Sequence, residues 1–127
     1  FGLEPEIAIA VDVTPTGDTP DAHKLEVALG KGPAIKIRDV GMLADPAVVR
    51  WMIRTAEKAH IPYQREVLTI GSTDARAMQV SRAGALAGAL SVPVRYVHSP
   101  SEMIDMADLQ QTVDLLAALL KSPVKLD

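Results

Sequence analysis

Two side chains in this sequence have the chemistry of metal ligands or proton carriers and sit where a ligand would gather. Asp12 interrupts an otherwise apolar run, IAIAVDV at residues 7–13. Such a run reads as a strand buried on both faces, with its carboxylate near the carboxyl end. In open α/β sheets ligands collect beyond that end. A carboxylate there is costly unless a cation or hydrogen bonds hold it. Asp12 therefore reads equally as a metal ligand or as a carboxylate bonded to nearby backbone N–H groups. His98 follows another strand, in a loop bounded by Pro93 and Pro100 with Glu102 and Asp105 close behind. A rigid loop presenting an imidazole suits a metal ligand or a general base, and a packing histidine is the competing reading. The other two histidines, His23 in a polar loop and His60 before Pro62, read as structural or exposed.

A second group could handle an anion. Gly71-Ser72-Thr73-Asp74 turns a strand into a helix, and its N–H groups could cradle a negative charge. Neither nucleotide fingerprint, G-x-x-x-x-G-K-[ST] or G-x-G-x-x-G, occurs there. A tight turn with Asp74 as helix cap is the plainer reading. Ser72, Ser99 and Ser101 lack a G-x-S-x-G elbow, which disfavours a serine hydrolase. Asp105, Asp108 and Asp114 lie on or beside the last helix and read as capping and solvated residues.

The elements that must position these groups alternate between strand and helix. After the first strand, Pro15, Gly17, Asp18 and Pro20 mark a loop. Residues 34–38 alternate like a strand with one wet face. Asp45-Pro46 starts a helix, with Val49, Ile53, Ala56 and His60 at helical spacing and Pro62 stopping it. Residues 64–70 form a strand, and a short helix follows and ends by Gly84. Residues 86–92 form a buried strand that Pro93 interrupts. Asp105 caps a final helix whose buried stripe is Leu109, Val113, Leu116 and Leu120. Alternation of this kind predicts an α/β layered domain with a mostly parallel sheet. Three helices serving four or five strands, and a first strand with nothing before it, look like half a sheet.

Composition narrows the function classes. The chain has 127 residues, 48% of them apolar, enough for one soluble domain with a core. A net charge of −3 disfavours nucleic acid and anionic membrane as main partners. No apolar run reaches the ~18 residues a membrane helix needs, and no leader peptide is recognisable. The absence of cysteine removes thiolate nucleophiles and Cys-type zinc sites and fits a cytoplasmic home. Aromatic residues are only Phe1, Trp51, Tyr63 and Tyr96, too few for a sugar-stacking cleft. The chain opens on Phe1, as a processed protein or an internal piece would.

At these same residues a family resemblance emerges. Residues 10–14 (AVDVT) followed by Gly17-Asp18-Thr19-Pro20, then residues 29–35, 71–75 and 91–100, resemble the glutamyl/deblocking aminopeptidases in unbroken order. These are dinuclear metallo-aminopeptidases that form tetrahedral particles and are often labelled cellulase or endoglucanase. The resemblance implies a three-layer, zinc-peptidase-like α/β domain with helices on both sheet faces. It further implies that Asp12 binds one of two divalent metals, zinc or cobalt, and that His98 binds the other. Thr73 and Asp74 carry over as substrate-pocket residues. Peptides would be the substrates, and dimers assembling into a dodecamer the assembly. The family's first His, bridging Asp and Glu-Glu pair have no counterpart here, and its dimerisation domain is absent. Residues 1–127 therefore resemble the C-terminal part of the catalytic domain, without catalytic residues of its own and inactive alone. An endoglucanase using Asp12 and Glu102, or a non-catalytic interaction domain, are the alternatives.

Overall fold

The computed structural model describes every residue except Ser122 and Asp127. Its elements are β1 (Ile7–Pro15), β2 (Ala34–Arg38), α1 (Pro46–Lys58), β3 (Gln64–Val67), α2 (Ala75–Gln79), β4 (Leu86–Arg95), β5 (Met103–Ile104) and α3 (Met106–Lys121). The strands form one five-stranded mixed sheet in the order β1-β4-β2-β3, with β5 also on β4. β1 runs parallel to β4 and β2 parallel to β3, while β2 and β5 run antiparallel to β4. Helices flank this sheet, as the α/β reading expects. Among the described residues no helix is long and apolar enough to cross a membrane.

The core forms where α1 and α3 meet the sheet. Asp45 starts α1 as expected, its carboxylate accepting from Ala47 N at 2.8 Å and Val48 N at 3.3 Å, with Pro46 opening the helix. Val48 and Met52 then lie over β4 at Gly88, where a Cβ would stand 2.8 Å from Val48 Cγ1. α1 ends at Lys58, before His60, which takes a left-handed φ of 55°.

Several sequence expectations fail for identifiable reasons. β1 is not covered on both faces. Ala8 and Ala10 are buried, but Val11 and Val13 are 51% and 38% exposed, so no element covers that face of β1 near its carboxyl end. Pro93 does not interrupt β4. It falls between the residues paired with β2, which end at Ser91, and those paired with β5, which begin at Val94. A missing N–H is tolerated where no neighbour on that side asks for it.

The stripe of α3 is also rotated from expectation. Asp108, Thr112, Leu115 and Leu119 face inward, while Val113 and Leu120 are exposed and Leu109 and Leu116 only partly covered. Asp108 turns inward because its carboxylate accepts from Gly30 N and Gly32 N, each at 2.7 Å. It anchors the turn at residues 30–32, where both glycines take positive φ. This is a buried loop anchor, not the solvated helix residue its position advertised.

Lys36 departs furthest from its expected place. The alternating pattern of β2 put it on a wet face, yet it is fully buried, Nζ donating to Glu66 Oε2 at 2.6 Å. Thr14 Oγ1 donates to the other Glu66 oxygen. One carboxylate thus joins β1, β2 and β3. Since β1 and β3 lie at opposite ends of the strand order, the sheet curls to bring them together.

Removing one partner of such a buried pair strands the other charge, at a cost of about 3–5 kcal/mol. Lys36→Met should therefore lower unfolding free energy in urea by about that amount. Adding Glu66→Leu should recover most of the loss. Independent, additive losses in the two variants would contradict the coupling.

Candidate functional site

A cavity of about 300 Å³ opens beside the carboxyl end of β1. Asp12, Val13 and Pro15 line it from β1, Leu68 and residues 70–73 from the segment after β3, and Val97 and His98 from the loop after β4. Three of the four residues singled out for site roles, Asp12, His98 and Thr73, therefore face one space. The fourth, Asp74, is exposed and does not line it. Nor does its side chain cap α2. His23 and His60 lie elsewhere, both exposed.

Asp12 is held lightly. Among the described residues its Oδ1 accepts only from the next backbone amide, Val13 N, at 2.8 Å. The carboxylate is solvent-exposed, so the desolvation cost expected of a strand buried on both faces does not arise. Its register partner on β4 is Ser91, whose buried hydroxyl has no hydrogen-bond partner among the described residues. His98 is presented by strained backbone, with φ of 61° at His98 itself and 59° at Tyr96. Non-glycine residues adopt this region rarely, and it clusters at functional sites. Glu102 stabilises the conformation by accepting from His98 N at 2.7 Å. That bond engages Glu102, and it does not line the cavity as a second carboxylate opposite Asp12.

Two carboxylates outside the cavity shape it, and neither their sequence spacing nor their type marked them. Arg95, the last residue of β4, makes a two-pronged pair with Asp18, Nε to Oδ1 at 3.0 Å and Nη2 to Oδ2 at 2.8 Å. The guanidinium holds the Asp18 carboxyl well below the usual carboxylate range. This pins the loop after β1 to the strand that leads into His98.

Asp39 does the same for the opposite wall. It is 2% exposed and accepts four hydrogen bonds. Gly41 N, Met42 N and Ser72 Oγ reach Oδ1 at 2.8, 2.7 and 2.9 Å, and Thr73 N reaches Oδ2 at 3.1 Å. Gly41 lacks a side chain for a reason: a Cβ there would meet Arg76 Cδ at 2.3 Å and Ser72 Oγ at 2.9 Å. The Thr73 amide is thereby committed to Asp39, so it is not available for the anion cradle that the turn's sequence allowed. Thr73 Oγ1, by contrast, is buried without a hydrogen-bond partner among the described residues.

A metal requires more than this chain brings together. Asp12 and His98 are suitable donors, a carboxylate and an imidazole. Among the described residues, however, no group of three or more His, Asp or Glu stands at metal-binding spacing. Two donors by themselves fall short of the three or four protein ligands that hold a metal tightly.

Comparison with known proteins decides the family. Residues 1–115 match the M42 glutamyl aminopeptidase family. The chain belongs to it. An aminopeptidase-like protein from Acetivibrio thermocellus, described as a presumed aminopeptidase, is 47% identical over 116 residues, covering 91% of this chain and 35% of that protein. An aminopeptidase structure from the archaeon Desulfurococcus kamchatkensis superposes with a TM-score of 0.91 at 40% identity, covering 97% of this chain and 36% of that one. The TET1 peptidase of Pyrococcus horikoshii, which can assemble into a tetrahedron or a large octahedral shell, matches at a TM-score of 0.76 and 36% identity. It covers 91% of this chain and 33% of its own. The M42 chain thus spans about a third of the length of the relatives it matches.

Asp39 gives the site a pH signature. Burial pushes its carboxyl up, but the bonds from Thr73 N, Gly41 N, Ser72 Oγ and Met42 N outweigh this and hold it below its ordinary value of 3.8. A carboxyl lowered on folding stabilises the fold above its unfolded value and loses that contribution as pH falls through the folded value. Asp39→Asn should therefore be less stable than the native chain by about 1–2 kcal/mol at neutral pH. The gap should stay constant down to about pH 5 and shrink below about pH 4. Urea unfolding across pH 3–7 measures it, and a gap independent of pH would refute the assignment.

Proposed function

We propose that this chain is the C-terminal part of the catalytic domain of an M42 aminopeptidase that removes N-terminal residues from peptides with a pair of divalent metals. The observation that carries the reading is the meeting of Asp12, His98 and Thr73 at one cavity in a chain of this family. Asp12 would hold one metal and His98 the other. Zinc or cobalt bound there would lower the pKa of a water and polarise the scissile carbonyl. The chain's own contribution is positional. The loop around His98, pinned through Asp18 and Glu102, presents His98 to the cavity that Asp12 also lines. Thr73, with its uncommitted hydroxyl, is the candidate to hydrogen-bond the peptide, with Asp74 further out as the site opens. The remaining ligands and the general base would come from the family's other segments, so residues 1–127 alone should be inactive. Homo-oligomeric assembly is part of the proposal, in keeping with the shells formed by the Pyrococcus horikoshii peptidase.

The experiment uses a protein that carries this chain together with the family's remaining segments. It should release amino acid from aminoacyl-nitroanilides, and EDTA should abolish the release. Asp12→Ala and His98→Ala should each lower kcat/KM by about a hundredfold or more. Undiminished activity in either variant would remove that residue from the metal centre.

The structure also favours a second reading, that the isolated chain behaves as an associating module. β1 has a free edge, Val11 and Val13 are uncovered, and α3 turns Val113 and Leu120 outward. Open strand edges and apolar faces seek cover. On size-exclusion chromatography residues 1–127 should elute as dimers or larger species. A clean, well-folded monomer would contradict the view that this is part of a larger domain.

A further inference from the structure

We infer that Asp39 is a positioning residue for the substrate wall: its carboxylate latches Thr73, and hence the Gly71–Ser72–Thr73 segment, against the turn after β2. The inference rests on the proposed peptidase site, since it supposes that this wall meets the peptide.

The two carboxylate oxygens divide the work. Oδ1 accepts from Gly41 N and Met42 N, which close its own turn, and from Ser72 Oγ. Oδ2 accepts only from Thr73 N. The first oxygen builds the turn and the second reaches across to the cavity wall, 34 residues further along the chain. Other contacts support the latch without replacing it. Val40 N donates to Gly71 O at 3.2 Å, and Gly41 leaves room for Ser72 and Arg76 to lie against the turn. Gly71 takes a φ of 75°, which glycine adopts without strain and which turns the chain into the wall. Thr73 lies outside every strand and helix. Without Asp39 its amide would be buried with no acceptor, and the unpartnered hydroxyl beside the cavity would lose its fixed direction. The geometry assigns Asp39 to substrate positioning and not to the reacting atoms, because it does not line the cavity.

Asn at position 39 separates the two duties. Its amide oxygen can replace Oδ1 and keep the turn, while its NH2 group replaces Oδ2 and meets the Thr73 amide donor to donor. Amide hydrogen exchange on residues 1–127 reads this directly. In the native chain the Thr73 amide should exchange slowly, despite its place in a loop. In Asp39→Asn it should exchange at least about tenfold faster, with Gly41 and Met42 unchanged. Rapid Thr73 exchange in the native chain overturns the latch even if the variant fails to fold. Unchanged Thr73 protection in the variant overturns it too, as does loss of protection at all three amides together, which would mean a merely structural role. In the longer, metal-loaded enzyme, Asp39→Asn should raise KM for aminoacyl-nitroanilides about tenfold and leave kcat within about twofold. A fall in kcat at unchanged KM would overturn substrate positioning. Absence of peptidase activity in the native longer enzyme would overturn the proposed function, and the substrate role with it, while the exchange result still decides the latch.

Discussion

The fold turns on one buried carboxylate. Glu66 accepts from Thr14 of β1 and Lys36 of β2 while standing on β3, so strands at opposite ends of the sheet order share a single ionic centre. A charge pair this far from water is held only if each member keeps its partner, so losing either one alone strains the curl of the sheet. The cavity lies beside this centre. Val13 and Pro15 flank Thr14 along β1, Asp12 is one residue further back, and Leu68 lies two residues beyond Glu66. Whatever fixes Thr14 to Glu66 therefore also fixes the two walls between which His98 is presented.

Around this centre the site is built by carboxylates spent on backbone N–H groups. Asp39 holds the wall at residues 71–73, Asp108 holds the turn at residues 30–32, and Glu102 holds the left-handed His98. Asp18 serves the same end through Arg95. Loops carry the site, and each is tied down by a group from another part of the chain. Such ties position side chains that local sequence preference alone would leave free.

Much of the framework was legible from residue order. The Asp45-Pro46 helix start, the apolar runs of β1 and β4, and the loop presenting His98 all follow from local rules, because caps, apolar runs and prolines act over a few residues. The meeting of Asp12 and His98 was approached through family resemblance and not through spacing. What local rules missed is long-range. Lys36 alternates like a solvent-facing residue, and only Glu66, 30 positions away, makes its burial tolerable. Asp108 looks like a first-turn residue answering the helix dipole, until the glycine amides at 30 and 32 claim it. The α3 stripe was misjudged because the helix is apolar around much of its girth. Leu109, Val113, Leu116 and Leu120 form as good a stripe as Leu115 and Leu119, and tertiary packing chose between them.

The central claim is that Asp12 and His98 are ligands in one metal centre completed by segments outside this chain. Anomalous diffraction from a cobalt-loaded crystal of the longer protein tests it most directly. The account predicts two adjacent cobalt peaks in the cavity beside β1, one bonded by the Asp12 carboxylate and the other by the His98 imidazole. Cobalt bound away from this cavity, or a pair ligated there without Asp12 or His98, would contradict it.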